Sequence, residues 1–166
     1  MLPKGKRMKK FKIALVLVPL LTIGKGVIAA SAIATDPGPP FTYGVAYGQQ
    51  SATAARQSAI SRCIKEGGAN CSVKTACSEE GFGVIAVYQR GPGTAIESYG
   101  AICGEPTLES AKAKALHACE YFLAENLNIS LPPLVDTTRA LVRSKLAEEC
   151  PGLGNCQCTT RHEWRG

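Results

Sequence analysis

Tyr43-Gly44-Val45-Ala46-Tyr47-Gly48 returns as Tyr99-Gly100-Ala101-Ile102-Cys103-Gly104, 56 residues further along the chain. In the same frame Ala55 meets Ala111, Ala59 meets Ala115 and Cys63 meets Cys119, with similar residues at Ser51/Thr107, Arg56/Lys112 and Ile60/Leu116. Matches held at one fixed offset are the signature of an internal duplication. Upstream, Ser31-Ala-Ile-Ala-Thr35 is similar to Val84-Ile-Ala-Val-Tyr88, and each precedes a Pro/Gly turn, Asp36 to Pro40 in one copy and Gly91 to Gly93 in the other. The repeating unit therefore reads strand, turn, strand, helix.

Each predicted helix has a physical start. Ser51 and Thr107 stand where a hydroxyl accepts from the orphan amides of a first helical turn. Behind them Ala52, Ala55, Ala59, Ile60 and Cys63 recur at helical spacing, as do Leu108, Ala111, Ala115, Ala118, Cys119 and Phe122. Alanine-rich faces let a helix axis approach a sheet closely, so the expected class is α+β, an antiparallel sheet carrying its helices on one face. Strands are expected near 30–35, 41–48, 71–77, 82–90 and 94–103. A third helix over 137–149 would start at Asp136 and end before Pro151-Gly152, and a last strand is expected within 155–164.

Lys4, Lys6, Arg7, Lys9, Lys10 and Lys12 precede an apolar run from Ile13 to Ile23 that Lys25 follows closely. A basic segment, a short apolar core and small-residue cleavage sites after Ala29, Ala32 and Ala34 read as a secretory leader. The run is well short of the roughly 20 residues of a membrane span. Cleavage after Ala34 would remove a core strand, so cleavage after Ala29 is expected. The chain then divides into a leader (1–29), a tandem-repeat domain (30–122) and a C-terminal helix with a Cys-rich extension (123–166).

The leader also explains the charge. The chain carries +6 overall, but residues 1–34 hold seven of its 19 Lys and Arg and none of its 13 Asp and Glu. Residues 35–166 hold 12 basic against 13 acidic residues and no basic stripe. That balance gives no electrostatic reason to bind a phosphate backbone, so no nucleic-acid partner is expected.

The residues quoted above, in their order, together with Gly68-x-x-Cys71-x-Val73 and the strand Gly83-Val-Ile-Ala-Val87, resemble the Domain of Unknown Function 4189 family over about residues 30–122. The resemblance implies a small exported bacterial protein built from the same tandem unit, and it leaves the biochemistry open. Strand aromatics typical of that family are sparse here, and the segment from Leu123 to Gly166 reads as an addition.

Cys63, Cys71, Cys77, Cys103, Cys119, Cys150, Cys156 and Cys158 are an even set in a chain read as exported, which is the arithmetic of a disulfide framework. Cys63 and Cys71 flank the Gly67-Gly68 turn and are the expected local pair. Cys156 and Cys158 share one strand face without converging, so each should bond elsewhere. The competing reading is a zinc site from Cys156-x-Cys158-x-x-x-His162 with Cys150. An oxidising compartment pairs such thiols first, so neither a metal nor a cofactor is expected.

General acid–base chemistry has few candidates. Histidine is the usual supplier near neutral pH, and the chain has only two, His117 and His162, each of which reads as a surface residue without a partner. The pairs Glu79-Glu80 and Glu148-Glu149 read as a solvated turn and a helix end rather than as glycosidase carboxylates. No nucleophile elbow, His-Glu-x-x-His helix, phosphate loop or Cys-x-x-Cys is present. The expectation is a non-catalytic binding domain, periplasmic or secreted, whose partner is a protein or a component of the cell envelope. A protein-binding or inhibitory, immunity-like role leads; a cell-wall or glycan binder and a small envelope hydrolase are the alternatives. Arginine and aromatic side chains anchor interfaces, which nominates Tyr47, Arg90, Tyr99, Arg161 and Trp164. Tyr43 and Tyr99 read equally well as core residues of equivalent strands.

Overall fold

The computed structural model describes residues 29–91, 94–150 and 156–166. The expected leader up to Ile28, the turn residues Pro92 and Gly93, and the Pro151-Gly152 stop lie outside them. In chain order the elements are β1 (Ala30–Asp36), β2 (Thr42–Gln49), α1 (Ala52–Lys65), β3 (Ser72–Cys77), β4 (Phe82–Gln89), β5 (Ile96–Glu105), α2 (Leu108–Asn126), α3 (Arg139–Glu149) and β6 (Thr159–Arg165). The hydroxyls of Ser51 and Thr107 accept from the amides of Ala54 and Ser110, both at 3.1 Å, and so cap α1 and α2. For α3 the cap is Thr138 and not Asp136, which instead closes a short 3-10 turn over Leu134–Asp136.

The class is α+β, but the strands form two three-stranded antiparallel sheets, ordered β2-β1-β3 and β5-β4-β6, where a single sheet was expected. The reason lies in the central strands, which are apolar on both faces. Ala30, Ala32 and Ala34 of β1 pack under Ala55, Ala59 and Cys63 of α1. Ile33 points the other way and meets Ile85 and Val87 of β4, with Val45 and Trp164 in the same cluster. Val84, Ala86 and Tyr88 in turn lie under Ala111, Ala115 and Cys119 of α2. A strand with a helix on one side and a second sheet on the other needs two apolar faces, and the molecule is layered helix, sheet, sheet, helix.

Strand pairing corrects the internal alignment by one residue. Ala34 pairs with Gly44 and Ala86 with Gly100, so Ile33 corresponds to Ile85 and Ala34 to Ala86. The frame that set Ser31–Thr35 against Val84–Tyr88 would have exchanged the two faces of the strand, because side chains alternate with period two.

The pairing also extends the unit. β3 pairs with β1 and β6 pairs with β4, and each has its register shift at the same place, between Ile33 and Ala34 and between Ile85 and Ala86. One residue ahead of each strand stands a cysteine bonded to the helix, Cys71 to Cys63 and Cys158 to Cys119. The bridge spans 8 residues in the first unit and 39 in the second, where α3 and the Cys150–Cys156 bridge are inserted. The C-terminal extension thus supplies the closing strand of the second unit. The unit is strand, strand, helix, strand, present twice. The fourth bridge, Cys77–Cys103, joins β3 of one sheet to β5 of the other.

Backbone contact explains the repeated Tyr-Gly. A Cβ on Gly44 would collide with the Ala59 carbonyl and the Cys63 amide, and one on Gly100 with the Ala115 carbonyl and the Cys119 amide. Gly48 and Gly104 recur for a different reason, with φ of 65° and 75°. Gly44→Ala and Gly100→Ala should therefore each destabilise the protein by about 1–3 kcal/mol or more through overpacking. Gly48→Ala has nothing within 4 Å of the new methyl and should cost only the left-handed backbone term, about 1–2 kcal/mol. Denaturant midpoints under oxidising conditions measure the difference. A Gly44 variant no worse than the Gly48 variant would contradict the close approach.

Candidate functional site

Two clefts flank the edge strands, and the duplication relates them. The first, about 790 Å³, runs along β2 between the last turn of α1 and β6. The second, about 680 Å³, runs along β5 beside α2 and reaches across to β3. Tyr43 and Gly44 line one, and their counterparts Tyr99 and Gly100 line the other. Each cleft also takes a cation from the other unit. Arg161 of β6 lines the first and Lys74 of β3 the second, both at the register shift of a closing strand.

Their chemistry has diverged. In the first cleft α1 contributes Arg62 and Lys65 and its C-cap contributes Glu66, so with Arg161 the cleft carries an excess of positive charge beside Phe41, Tyr43 and Tyr47. Arg62 donates from Nη1 to the Val45 carbonyl at 2.5 Å and lies 6.0 Å from the centroid of the Tyr47 ring. In the second cleft the positions of Arg62 and Glu66 are Ala118 and Phe122, and Ile96 and Leu134 add to an apolar lining. Phe41 is shared, its ring 6.1 Å from Tyr43 and 5.2 Å from Tyr99.

Of the nominated interface residues, Tyr47 and Arg161 are exposed and meet in the first cleft, and Tyr99 is half-buried in the second. Tyr99 also accepts from the Thr35 hydroxyl at 3.3 Å, which gives it the structural role that was open from sequence. Arg90 is on the surface, ion-paired with Glu97 at 2.7 Å, a contact of small energetic weight. Trp164 is buried. It is 7% exposed, and its indole lies across Gly83, where a Cβ would strike the ring. Sequence reading missed Phe41 and Arg62; the position of Arg62 one residue before the repeated cysteine, with alanine as its counterpart, is the signal that was available.

The eight cysteines are all paired, with Cys63–Cys71 as expected and Cys156 and Cys158 bonded to Cys150 and Cys119. Glu79 and Glu80 are exposed between β3 and β4, and Glu148 pairs with Lys145 at 2.9 Å on the exposed end of α3. His162 is half-buried in the first cleft, 6.0 Å from Tyr43 and 5.8 Å from Trp164 between ring centroids. His117 is also half-buried, against expectation, with its Nε2 covered and unpartnered among the described residues. Burial holds its pKa below the ordinary histidine value, and the nearby Arg139 acts in the same direction while Glu120 opposes.

Glu120 is fully buried and binds Arg139 through two hydrogen bonds of 2.7 Å, which fasten α3 to α2. The fork-to-carboxylate geometry is the arrangement that compensates a buried charge. It raises the Arg139 pKa further above its already high value. Arg139→Met should destabilise the protein by about 3–5 kcal/mol by leaving the Glu120 carboxylate buried and unpaired, and Glu120→Gln in the same chain should restore part of that loss. Chemical denaturation of the single and double variants checks it; an Arg139→Met loss below about 1 kcal/mol would show an exposed pair.

The family model described as Domain of unknown function (DUF4189) matches residues 30–128, from the first residue of β1 to just past the end of α2. No curated protein and no solved structure matches the chain significantly. The matched span holds both copies of the Tyr-Gly strand and its helix, and it makes up more than half of the chain. The chain belongs to the family of the domain of unknown function DUF4189.

Proposed function

We propose that this is an exported, non-catalytic module that binds a protein in the periplasm or outside the cell, in an inhibitory, immunity-like role. Four disulfides in a chain of 166 residues are the cysteine usage of an oxidising compartment. Among the described residues no helix is long and apolar enough to cross a membrane. β1 begins at Ala30, so removal of a leader after Ala29 would leave the strand whole.

The observation that carries the reading is the first cleft. It gathers Phe41, Tyr43, Tyr47, Arg62 and Arg161 on elements held by bridges and sheet pairing. Aromatic and arginine side chains on a rigid frame are the residues that dominate protein interfaces, because they bury large area at low entropic cost. No thiol remains for a nucleophile, and the two histidines belong to different elements, His117 to α2 and His162 to β6. A glycan or cell-wall ligand is the second reading, favoured by the same aromatic rings.

The oxidised protein, immobilised and exposed to an envelope extract of the producing cell, should retain a discrete protein. Tyr47→Ala combined with Arg161→Ala should weaken that complex at least tenfold, about 1.4 kcal/mol. Purified muropeptides should give no binding heat. Muropeptide binding with no retained protein would replace this proposal by the wall-binding one.

A further inference from the structure

A sheet edge exposes a row of unpaired main-chain donors and acceptors, and natural proteins usually blunt it with a charge. β2 is blunted. The Val45 carbonyl faces away from β1 and is capped by Arg62, whose guanidinium also lies over Tyr47. Val45 pairs with Ile33 as Ala101 pairs with Ile85, so the main-chain groups of Ala101 face away from β4 in the same manner. Tyr99, two residues back in an uninterrupted register, faces the same way. The position of Arg62 is occupied on α2 by Ala118, which has no atom beyond Cβ to reach that carbonyl. Among the described residues, one edge of a duplicated pair is closed and its twin is open.

The space beside the open edge suits one kind of occupant. Phe122 stands 43% exposed on the α2 wall, with Leu134 near it and Val135 beyond at 91% exposed. Lys74 of β3 and Phe41, just ahead of β2, form the facing wall. Asn126 fixes one end of the edge by donating to the Glu97 carbonyl at 2.9 Å, and the Cys77–Cys103 bridge fixes the other. Between them a segment of about three to five residues fits at the rise of a strand. Its main chain would meet the N–H and C=O groups of Tyr99 and Ala101, and its alternate side chains would face Phe122 and Phe41.

We propose that the outer edge of β5 is a strand-addition site that takes an extended, largely apolar and uncharged segment of a partner protein. Main-chain pairing gives the affinity and the Phe122 wall selects the side chains. This goes beyond the protein-binding reading, which is carried by the first cleft, and it is tested without the natural partner, so the two fail separately.

Linear nine-residue peptides displayed at random are selected against the oxidised protein, and the best one is synthesised. The expected peptide alternates apolar residues, slows amide exchange at Tyr99 and Ala101, and binds Ala118→Arg at least tenfold more weakly. N-methylation of one alternate set of its amides should cost at least tenfold, and of the other set little. That series needs no protein variant, so it decides the matter even if Ala118→Arg folds poorly. Equal loss from both sets, no loss from either, undiminished binding to a folded Ala118→Arg, or failure to enrich any peptide would overturn the proposal. So would concentration-dependent dimerisation of the protein abolished by Ala118→Arg, since the occupant would then be a second copy.

Discussion

The approach of a helix backbone to a strand backbone sets the rest of this structure. At Gly44 and Gly100 the space for a Cβ is filled by the main chain of α1 and α2. Such an approach is possible only with small residues on the helix face, which is why Ala55, Ala59, Ala111 and Ala115 are fully buried. A helix lying so close brings its cysteine within bonding distance of the start of the closing strand, and both units use that geometry, Cys63–Cys71 and Cys119–Cys158. Bridges of this kind stabilise by about 2–4 kcal/mol, mainly by restricting the unfolded chain.

The faces that the helices leave uncovered, the sheets cover for each other. Ile33, Ile85 and Val87 lie between the sheets, and Cys77–Cys103 locks one side of that interface. By strand register and the 56-residue offset, the counterparts of Cys77 and Cys103 are Trp164 and Tyr47, so the bridge has no twin. The side without a bridge holds the cationic cleft with Tyr47, Arg161 and His162. Divergence of the two copies thus falls on the edges and clefts, where it does not disturb the helix-to-sheet contact that both copies share.

Much of this architecture was legible in the chain because the repeat is backed by geometry. Gly44 and Gly100 recur where a Cβ has no room, Gly48 and Gly104 where φ is positive, and Ser51 and Thr107 cap as hydroxyls must. The second sheet was harder to see, although its mark is present: Val84 to Tyr88 is an unbroken apolar run, the pattern of a strand buried on both faces. β6 was hidden as part of the unit because α3 separates it from its helix and because Thr159 to Arg165 alternates too weakly, with only Trp164 buried. The Glu120–Arg139 pair was illegible, since no local pattern announces a carboxylate 19 residues from its partner across two helices. Residue type singled out Tyr47, Arg161 and Tyr99, which line the clefts, and also Trp164, whose large apolar ring is buried in the core.

Mapping the disulfides of the native protein, by protease digestion without reductant and mass spectrometry of the linked peptides, tests the doubled unit most directly. The account requires Cys63 linked to Cys71 and Cys119 to Cys158, the same helix-to-strand bridge twice, with Cys77 linked to Cys103 between the sheets. Cys119 linked instead to Cys150 or Cys156 would mean that β6 does not close the second unit, and the two-copy architecture would fall with it.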